Sequence, residues 1–145
     1  MRNQLKNKNT WMIILVVIIA FLLIFLYITF ENKNVLEKKE LYAKVVVGEK
    51  YGFDINSTAL TFGMIIPGLS SASRQIVLTN NYNRDVNVKV YTDGNISEFL
   101  KISENNFILE NNASRNLSFS VSVPTECNFG TYDGKVTILI KGVSK

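Results

Sequence analysis

Residues 117–123 read LSFSVSV, so four apolar residues alternate with three serines. Two other stretches alternate in a similar way, Val86–Val90 (VNVKV) and Val136–Ile140 (VTILI). Successive side chains of a β-strand point to opposite faces, so a period of two places the apolar residues on one face. The pattern predicts three strands, each with one buried and one wet face.

Weaker patterns predict up to five more strands, over Tyr42–Val47, Ala59–Ile66, Arg74–Thr79, Leu100–Ser103 and Asn106–Glu110. Turn-forming pairs separate the candidates, at Pro67-Gly68, Asn80-Asn81, Asp93-Gly94, Asn111-Asn112 and Asp133-Gly134. Seven or eight short strands without room for crossover helices predict an all-β antiparallel sandwich. We expect its core to contain Leu60, Phe62, Ile76, Leu78, Val88, Phe99, Phe107, Leu109, Phe119, Val121, Val136 and Ile138.

The N-terminal region has a different character. Trp11–Phe30 is a run of 20 residues without a charge, and 15 of them are Leu, Ile, Val or Phe. A helix of about 20 residues spans the ~30 Å hydrocarbon layer, and these side chains together favour insertion by roughly 5 to 9 kcal/mol. The run therefore predicts one transmembrane helix that contacts membrane lipid through Trp11–Phe30. It is longer than a signal peptide's apolar region and has no small-residue cleavage pattern after it, so we expect an uncleaved anchor.

The charges on either side of this run predict its orientation. Arg2, Lys6 and Lys8 precede it without an acidic residue, which favours a cytoplasmic tail over residues 1–10. Residues 31–41 are polar and free of Gly and Pro, so we interpret them as a stalk compatible with a helical continuation. Residues 42–145 would then form the extracytoplasmic domain of a single-pass cell-membrane protein.

Two groups of residues carry a family resemblance. One is Leu60-Thr61-Phe62-Gly63 with Pro67-Gly68, Ser73-Arg74, Ile76 and Leu78-Thr79-Asn80, and the other is Ser120–Pro124 with Gly130–Val136. Together they resemble the immunoglobulin-like β-sandwich modules of archaeal and bacterial membrane-anchored surface proteins. The resemblance implies an immunoglobulin-like fold and an exported location, and it implies no activity.

The amino-acid composition and the spacing of polar residues give little support for catalysis or metal binding. The chain has no histidine and one cysteine, Cys127, which we expect to be a partly buried small apolar residue. Residues 43–145 carry ten basic and nine acidic side chains, an interleaved pattern that argues against a nucleic-acid partner. Calcium binds oxygen ligands, and the candidate ligands are Asp54, Asn56, Asp85, Asp93 and Glu126. Their positions in the sequence do not follow the regular spacing of a calcium-binding loop. We therefore predict no catalytic, cofactor-binding or metal-binding residues and no cofactor.

Sequons for N-glycosylation begin at Asn56, Asn95, Asn112 and Asn116. Aromatic residues with the potential to form a binding patch are Tyr51, Phe53, Tyr82 and Tyr91. The leading hypothesis is a non-catalytic interaction module that contacts an envelope protein or polymer through its loops or a free sheet edge. The alternative is a structural subunit of a filament or membrane complex in which Tyr42–Val47 completes a neighbour's sheet. A third hypothesis, an enzyme or carrier that uses carboxylates alone, would rely on Asp54, Asp85, Asp93 and Asp133.

Overall fold

The computed structural model describes the backbone of residues 2–32, 34–54 and 58–143. The chain divides into two compact units, residues 1–34 and residues 35–145. The first unit contains one helix, α1, over Arg2–Asn32, and its side chains from Trp11 to Tyr27 are exposed. Within the described part of the chain, no helix has the length and apolar character that crossing a membrane requires. The predicted transmembrane helix over Trp11–Phe30 is thus not confirmed.

The described residues of the second unit form eight strands in two sheets. The five-stranded sheet has the order β2-β1-β8-β4-β6, and its strands are β1 Val35–Val47, β2 Leu60–Ile65, β4 Val86–Gly94, β6 Phe107–Leu109 and β8 Gly130–Gly142. The three-stranded sheet has the order β3-β7-β5, and its strands are β3 Ser71–Thr79, β5 Leu100–Ile102 and β7 Ser114–Ser122. This arrangement confirms the all-β prediction and is consistent with a β-sandwich.

The prediction of a helical stalk over residues 31–41 is wrong for Val35–Leu41. These residues form the first half of β1 and pair in antiparallel register with Val136–Lys141 of β8. Four consecutive charged side chains, Glu37 to Glu40, suggested a solvated helix, but all four are exposed on the strand. Hydrogen bonding to a distant strand outweighs the weak local helix preference of such residues.

The prediction of a purely antiparallel sandwich is also wrong for the five-stranded sheet. Strands β1 and β2 pair in parallel, with Ala43 opposite Leu60 and Val47 opposite Ile65. Parallel neighbours need a connection of about a dozen residues or more, and residues 48–59 supply one without a helix among the described residues. Parallel pairing of β1 and β2 leaves β2 at one edge of the larger sheet.

The turn predicted at Asp133-Gly134 is wrong, because both residues lie inside β8. Gly134 stands opposite Ala43 of β1 on one side and Gly94 of β4 on the other. A Cβ atom at Gly134 would clash with the Asp93 carbonyl oxygen, and a Cβ at Gly94 would clash with the backbone of Gly134. Glycine is needed here for close approach of two strands, not for a chain reversal.

The core lies between the sheets and agrees well with the sequence pattern. Of the 12 predicted core residues, Ile76, Phe99 and Phe107 are half-buried and pack against the core. The others are buried: Leu60, Phe62, Leu78, Val88, Leu109, Phe119, Val121, Val136 and Ile138. Strand β1 adds Ala43, Val45 and Val47, and the single-turn 3-10 helix Asn95–Glu98 adds Ile96. The predicted alternation therefore holds on both sheets.

Candidate functional site

Four strands lie at the edges of the two sheets, and three of them are protected. Strands β5 and β6 have three residues each, which leaves few unpaired backbone groups. The outer side of β2 is covered at Met64, whose N–H donates to the Gly52 carbonyl at 2.8 Å and whose carbonyl accepts the Gly52 N–H at 3.2 Å. Short, covered or irregular edges are the usual means by which proteins prevent unwanted strand pairing.

The fourth edge strand, β3, has none of these protections. It pairs over all nine of its residues with β7 without a register shift, and no described strand pairs with its other side. Its sequence, SASRQIVLT, contains neither Lys nor Pro. A long, straight strand edge of this kind presents a row of free N–H and C=O groups that another strand can pair with.

The direction of those free groups follows from the pairing of β7. On β7, the Ser118 carbonyl accepts the Ser103 N–H at 2.9 Å and the Ser122 N–H donates to the Phe99 carbonyl at 3.4 Å, so both residues face β5. Because backbone groups alternate along a strand, Leu117, Phe119 and Val121 face β3 instead.

The residues of β3 that face β7 are the partners of these three, namely Ile76, Arg74 and Ala72. The outer edge therefore presents the backbone groups of the alternate residues, which are Ser71, Ser73, Gln75, Val77 and Thr79. All five side chains are exposed, and Val77 is 67% exposed.

The single charged side chain of β3 is Arg74, and it is occupied within the chain. Its Nε donates to the Thr61 carbonyl of β2 at 2.8 Å, and its Nη2 donates to the Asp54 carbonyl. These bonds connect β3 to the edge strand of the other sheet and to the connection before it. The Arg74 guanidinium is thus bound to backbone carbonyls of the same chain.

A groove of about 510 Å³ lies beside the first half of β3. Its wall from the other sheet includes Phe62 and Ile65, and its rim includes Tyr51 and Phe53, which are 63% and 100% exposed. Tyr51 and Phe53 are thus the two members of the predicted aromatic set at the groove. Tyr82 is half-buried and its hydroxyl donates to Glu37 Oε2 at 3.1 Å, whereas Tyr91 is exposed on β4.

The three sequons within the described residues have exposed asparagine side chains, at Asn95, Asn112 and Asn116. The Asn95 Oδ1 accepts the Asp133 N–H at 2.7 Å, and Asn112 has a left-handed φ of 58° in the turn before β7. Asn116 lies on β7 opposite Val77. Asn56 lies outside the described residues, and glycosylation of all four stays a prediction.

Three of the carboxylates considered for catalysis or calcium binding, those of Asp85, Asp93 and Asp133, accept hydrogen bonds within the domain. Asp85 Oδ1 accepts the Asn111 N–H at 3.0 Å, Asp93 Oδ1 accepts the Gly94 N–H at 2.8 Å, and Asp133 Oδ2 accepts the Tyr42 hydroxyl at 3.0 Å. The last contact raises the pKa of Tyr42. Among the described residues, no three Asp, Glu or Cys side chains are grouped in a way that suits a metal ion.

Two other polar features lie away from β3. Glu40 of β1 has its carboxylate 2.8 Å from both Lys135 Nζ and Lys38 Nζ, and these lysines lower its pKa to about 2. Cys127 is half-buried as predicted, with its Sγ 3.2 Å from the Tyr132 hydroxyl, and this hydrogen bond is the main reason that the pKa of Tyr132 is raised.

The sequence led to a hypothesis of contact through loops or a free sheet edge, and it did not identify which strand lies at such an edge. Tyr42–Val47, the segment considered as a donor strand, pairs with β8 along its whole length, and Ala43–Val47 also pairs with β2. The one sequence feature that marks β3 as an unprotected edge is the absence of Lys and Pro over residues 71–79. This feature is informative only once β3 is known to lie at an edge of its sheet. No protein-family model matches the chain, and no similar curated protein or solved structure was found.

Proposed function

We propose that the chain is a non-catalytic interaction module in which a membrane anchor carries a β-sandwich outside the cytoplasm. In this proposal the sandwich contacts an envelope protein or polymer through the open edge of β3. The observation that carries the proposal is the contrast between β3 and the other three edges, because β3 is the one that is long and uncovered among the described residues.

Strand addition gives such an edge its binding capacity. Five residues of β3 offer outward N–H and C=O groups, and each backbone hydrogen bond contributes about 0.5 to 1.5 kcal/mol net. In strand addition, main-chain hydrogen bonds supply affinity and pockets for alternate side chains supply specificity. The groove between Phe62, Ile65 and the rim residues Tyr51 and Phe53 is suited to take apolar side chains from an added strand.

The strand order supports an immunoglobulin-like assignment for the sandwich. Immunoglobulin domains have strands A, B, E and D in one sheet and C, F and G in the other. The order β3-β7-β5 corresponds to B, E and D, and the pair β4-β8 corresponds to C and F. In this assignment β1, although it is the first strand of the chain, takes the place of G, and no described strand occupies the place of strand A beside β3.

The anchor is supported by the sequence of Trp11–Phe30 and by the exposure of the described helix side chains. Seventeen consecutive residues, Trp11 to Tyr27, have exposed side chains, and only Trp11 and Tyr27 carry a polar group. Exposed apolar area on this scale is costly in water and favourable in lipid. The basic residues Arg2, Lys6 and Lys8 favour a cytoplasmic N-terminus.

A labelling experiment tests both location and orientation. In a Cys127→Ser background, we place a cysteine in the full chain either at Glu126, which is exposed, or at Lys6, and treat intact spheroplasts with a membrane-impermeant maleimide. We expect Glu126→Cys to be labelled before lysis and Lys6→Cys only after it. Labelling of Glu126→Cys only after lysis would overturn the exported location.

Variants of the helix test the anchor itself. Replacing Ile18 and Ile19 by arginine costs about 2.5 to 3.5 kcal/mol per residue at the centre of a membrane helix, in addition to the lost apolar contribution. We expect this double variant to be released from carbonate-washed membranes, while the matched Ile18→Leu and Ile19→Leu double variant stays with them. Recovery of the unsubstituted chain in the wash would contradict the anchor.

A further inference from the structure

We propose that two copies of the chain pair β3 against β3 in antiparallel register around a two-fold axis, with Gln75 opposite the partner's Gln75. This inference rests on the proposed function, because it names a second copy of the chain as the partner of the same edge. The resulting interface is isologous, since the same strand contributes from both sides.

The positions of the free backbone groups are compatible with this register. The outward residues are Ser71, Ser73, Gln75, Val77 and Thr79, and Gln75 is the middle one. Centring the pair on Gln75 places every outward residue opposite an outward residue. Ser73 then faces the partner's Val77, and Ser71 faces the partner's Thr79. Each such pair exchanges two hydrogen bonds, which gives about ten bonds in all, whereas any shifted register uses fewer.

The charges on β3 favour a second copy over a charged partner. A symmetric interface brings identical residues near the axis, so any ionised side chain there would face its own like charge. The five outward side chains are uncharged, and the guanidinium of Arg74 is held by the carbonyls of Thr61 and Asp54. The Gln75 amide can donate to and accept from an identical amide, and the partner's Ser73 would partly cover Val77.

Cysteine cross-linking tests the register directly. Opposed residues of a hydrogen-bonded antiparallel pair have Cα atoms about 5.5 Å apart, within the range that a disulfide spans. We therefore expect Gln75→Cys, in a Cys127→Ser background of the full chain in detergent, to give a disulfide-linked dimer on mild oxidation. Far-UV circular dichroism checks that the variant folds.

Two further variants fix the register, and a third controls for random collision. Ser73→Cys alone should not cross-link, because two copies of residue 73 would lie about 13 Å apart along the strands. Ser73→Cys combined with Val77→Cys should cross-link, because each faces the other across the axis. The control Ser122→Cys is exposed on β7, which is paired on both sides, and should stay monomeric.

The possible outcomes separate this inference from the proposed function. A folded Gln75→Cys chain that cross-links no better than Ser122→Cys would overturn the β3 to β3 dimer. If Ser73→Cys, Gln75→Cys and Val77→Cys each cross-linked in native membranes to a different protein, the dimer would be wrong while the proposed interaction edge would stand. Failure of Glu126→Cys labelling in intact spheroplasts would remove the proposed location whatever the cross-linking result.

Discussion

Replacing Phe119 by alanine is expected to lower the free energy of unfolding by about 3 to 5 kcal/mol. Phe119 is fully buried in the middle of β7, with Arg74 of β3 on one side and Ile102 of β5 on the other. Truncation removes the largest fully buried side chain in the described part of the chain and leaves a cavity that neighbouring strands cannot fill. Urea unfolding of the full chain in detergent, followed by near-UV circular dichroism, measures the loss.

Phe129→Ala is the matched control for this prediction. Phe129 is 61% exposed and lies just before β8, so its truncation should change the free energy of unfolding by less than about 0.5 kcal/mol. Equal losses from Phe119→Ala and Phe129→Ala would show that β7 does not pack in the centre of the sandwich as described.

Replacing Asn80 by alanine is expected to lower the free energy of unfolding by about 2 to 4 kcal/mol, because it leaves four buried or partly buried backbone groups without this partner. Asn80 is 2% exposed. Its Nδ2 donates to the carbonyls of Arg84, Leu109 and Glu110 at 2.9, 3.0 and 2.9 Å, and its Oδ1 accepts the Tyr82 N–H at 3.0 Å. The side chain thereby joins the loop after β3 to the end of β6. The same urea titration measures the loss.

Two comparison variants show whether the hydrogen bonds are responsible. Asn81→Ala changes an exposed neighbour and should stay within about 0.5 kcal/mol of the unsubstituted chain. Asn80→Asp keeps an acceptor for the Tyr82 N–H but loses the two N–H donors that the three carbonyls share. It also places a carboxylate oxygen against those carbonyls, so it should be at least as damaging as alanine at neutral pH. A stable Asn80→Asp chain would contradict this hydrogen-bond network.

The alternating pattern predicts a strand well where one face of that strand is buried in the core and the other faces solvent. Residues 117–123 and 136–140 are examples, since their apolar members are mostly buried. The pattern fails at the first half of β1, because Glu37 to Glu40 are all polar and the strand forms through pairing with distant residues of β8. It fails at Gly134 because glycine has the same sequence signature in a turn and in a close strand contact.

The candidate site was harder to predict than the fold. Whether a strand lies at an edge depends on which strands pair, and pairing joins residues far apart in the sequence, as β3 and β7 show. The serines of β3 look like ordinary solvent-facing residues until the missing neighbour is known. Likewise, Asn80 belongs to a turn-forming pair in the sequence, and only its three carbonyl partners reveal a structural role.

Residue-resolved amide hydrogen exchange of the full chain, measured at several protein concentrations, tests the open edge of β3 most directly. At high dilution we expect slow exchange at Arg74 and Ile76, which face β7, and fast exchange at Ser73, Gln75 and Val77, which face outward. As the concentration rises, the outward amides should become protected while those facing β7 stay unchanged. Slow exchange at all five amides at every dilution, or fast exchange of the outward three at every concentration, would contradict the account.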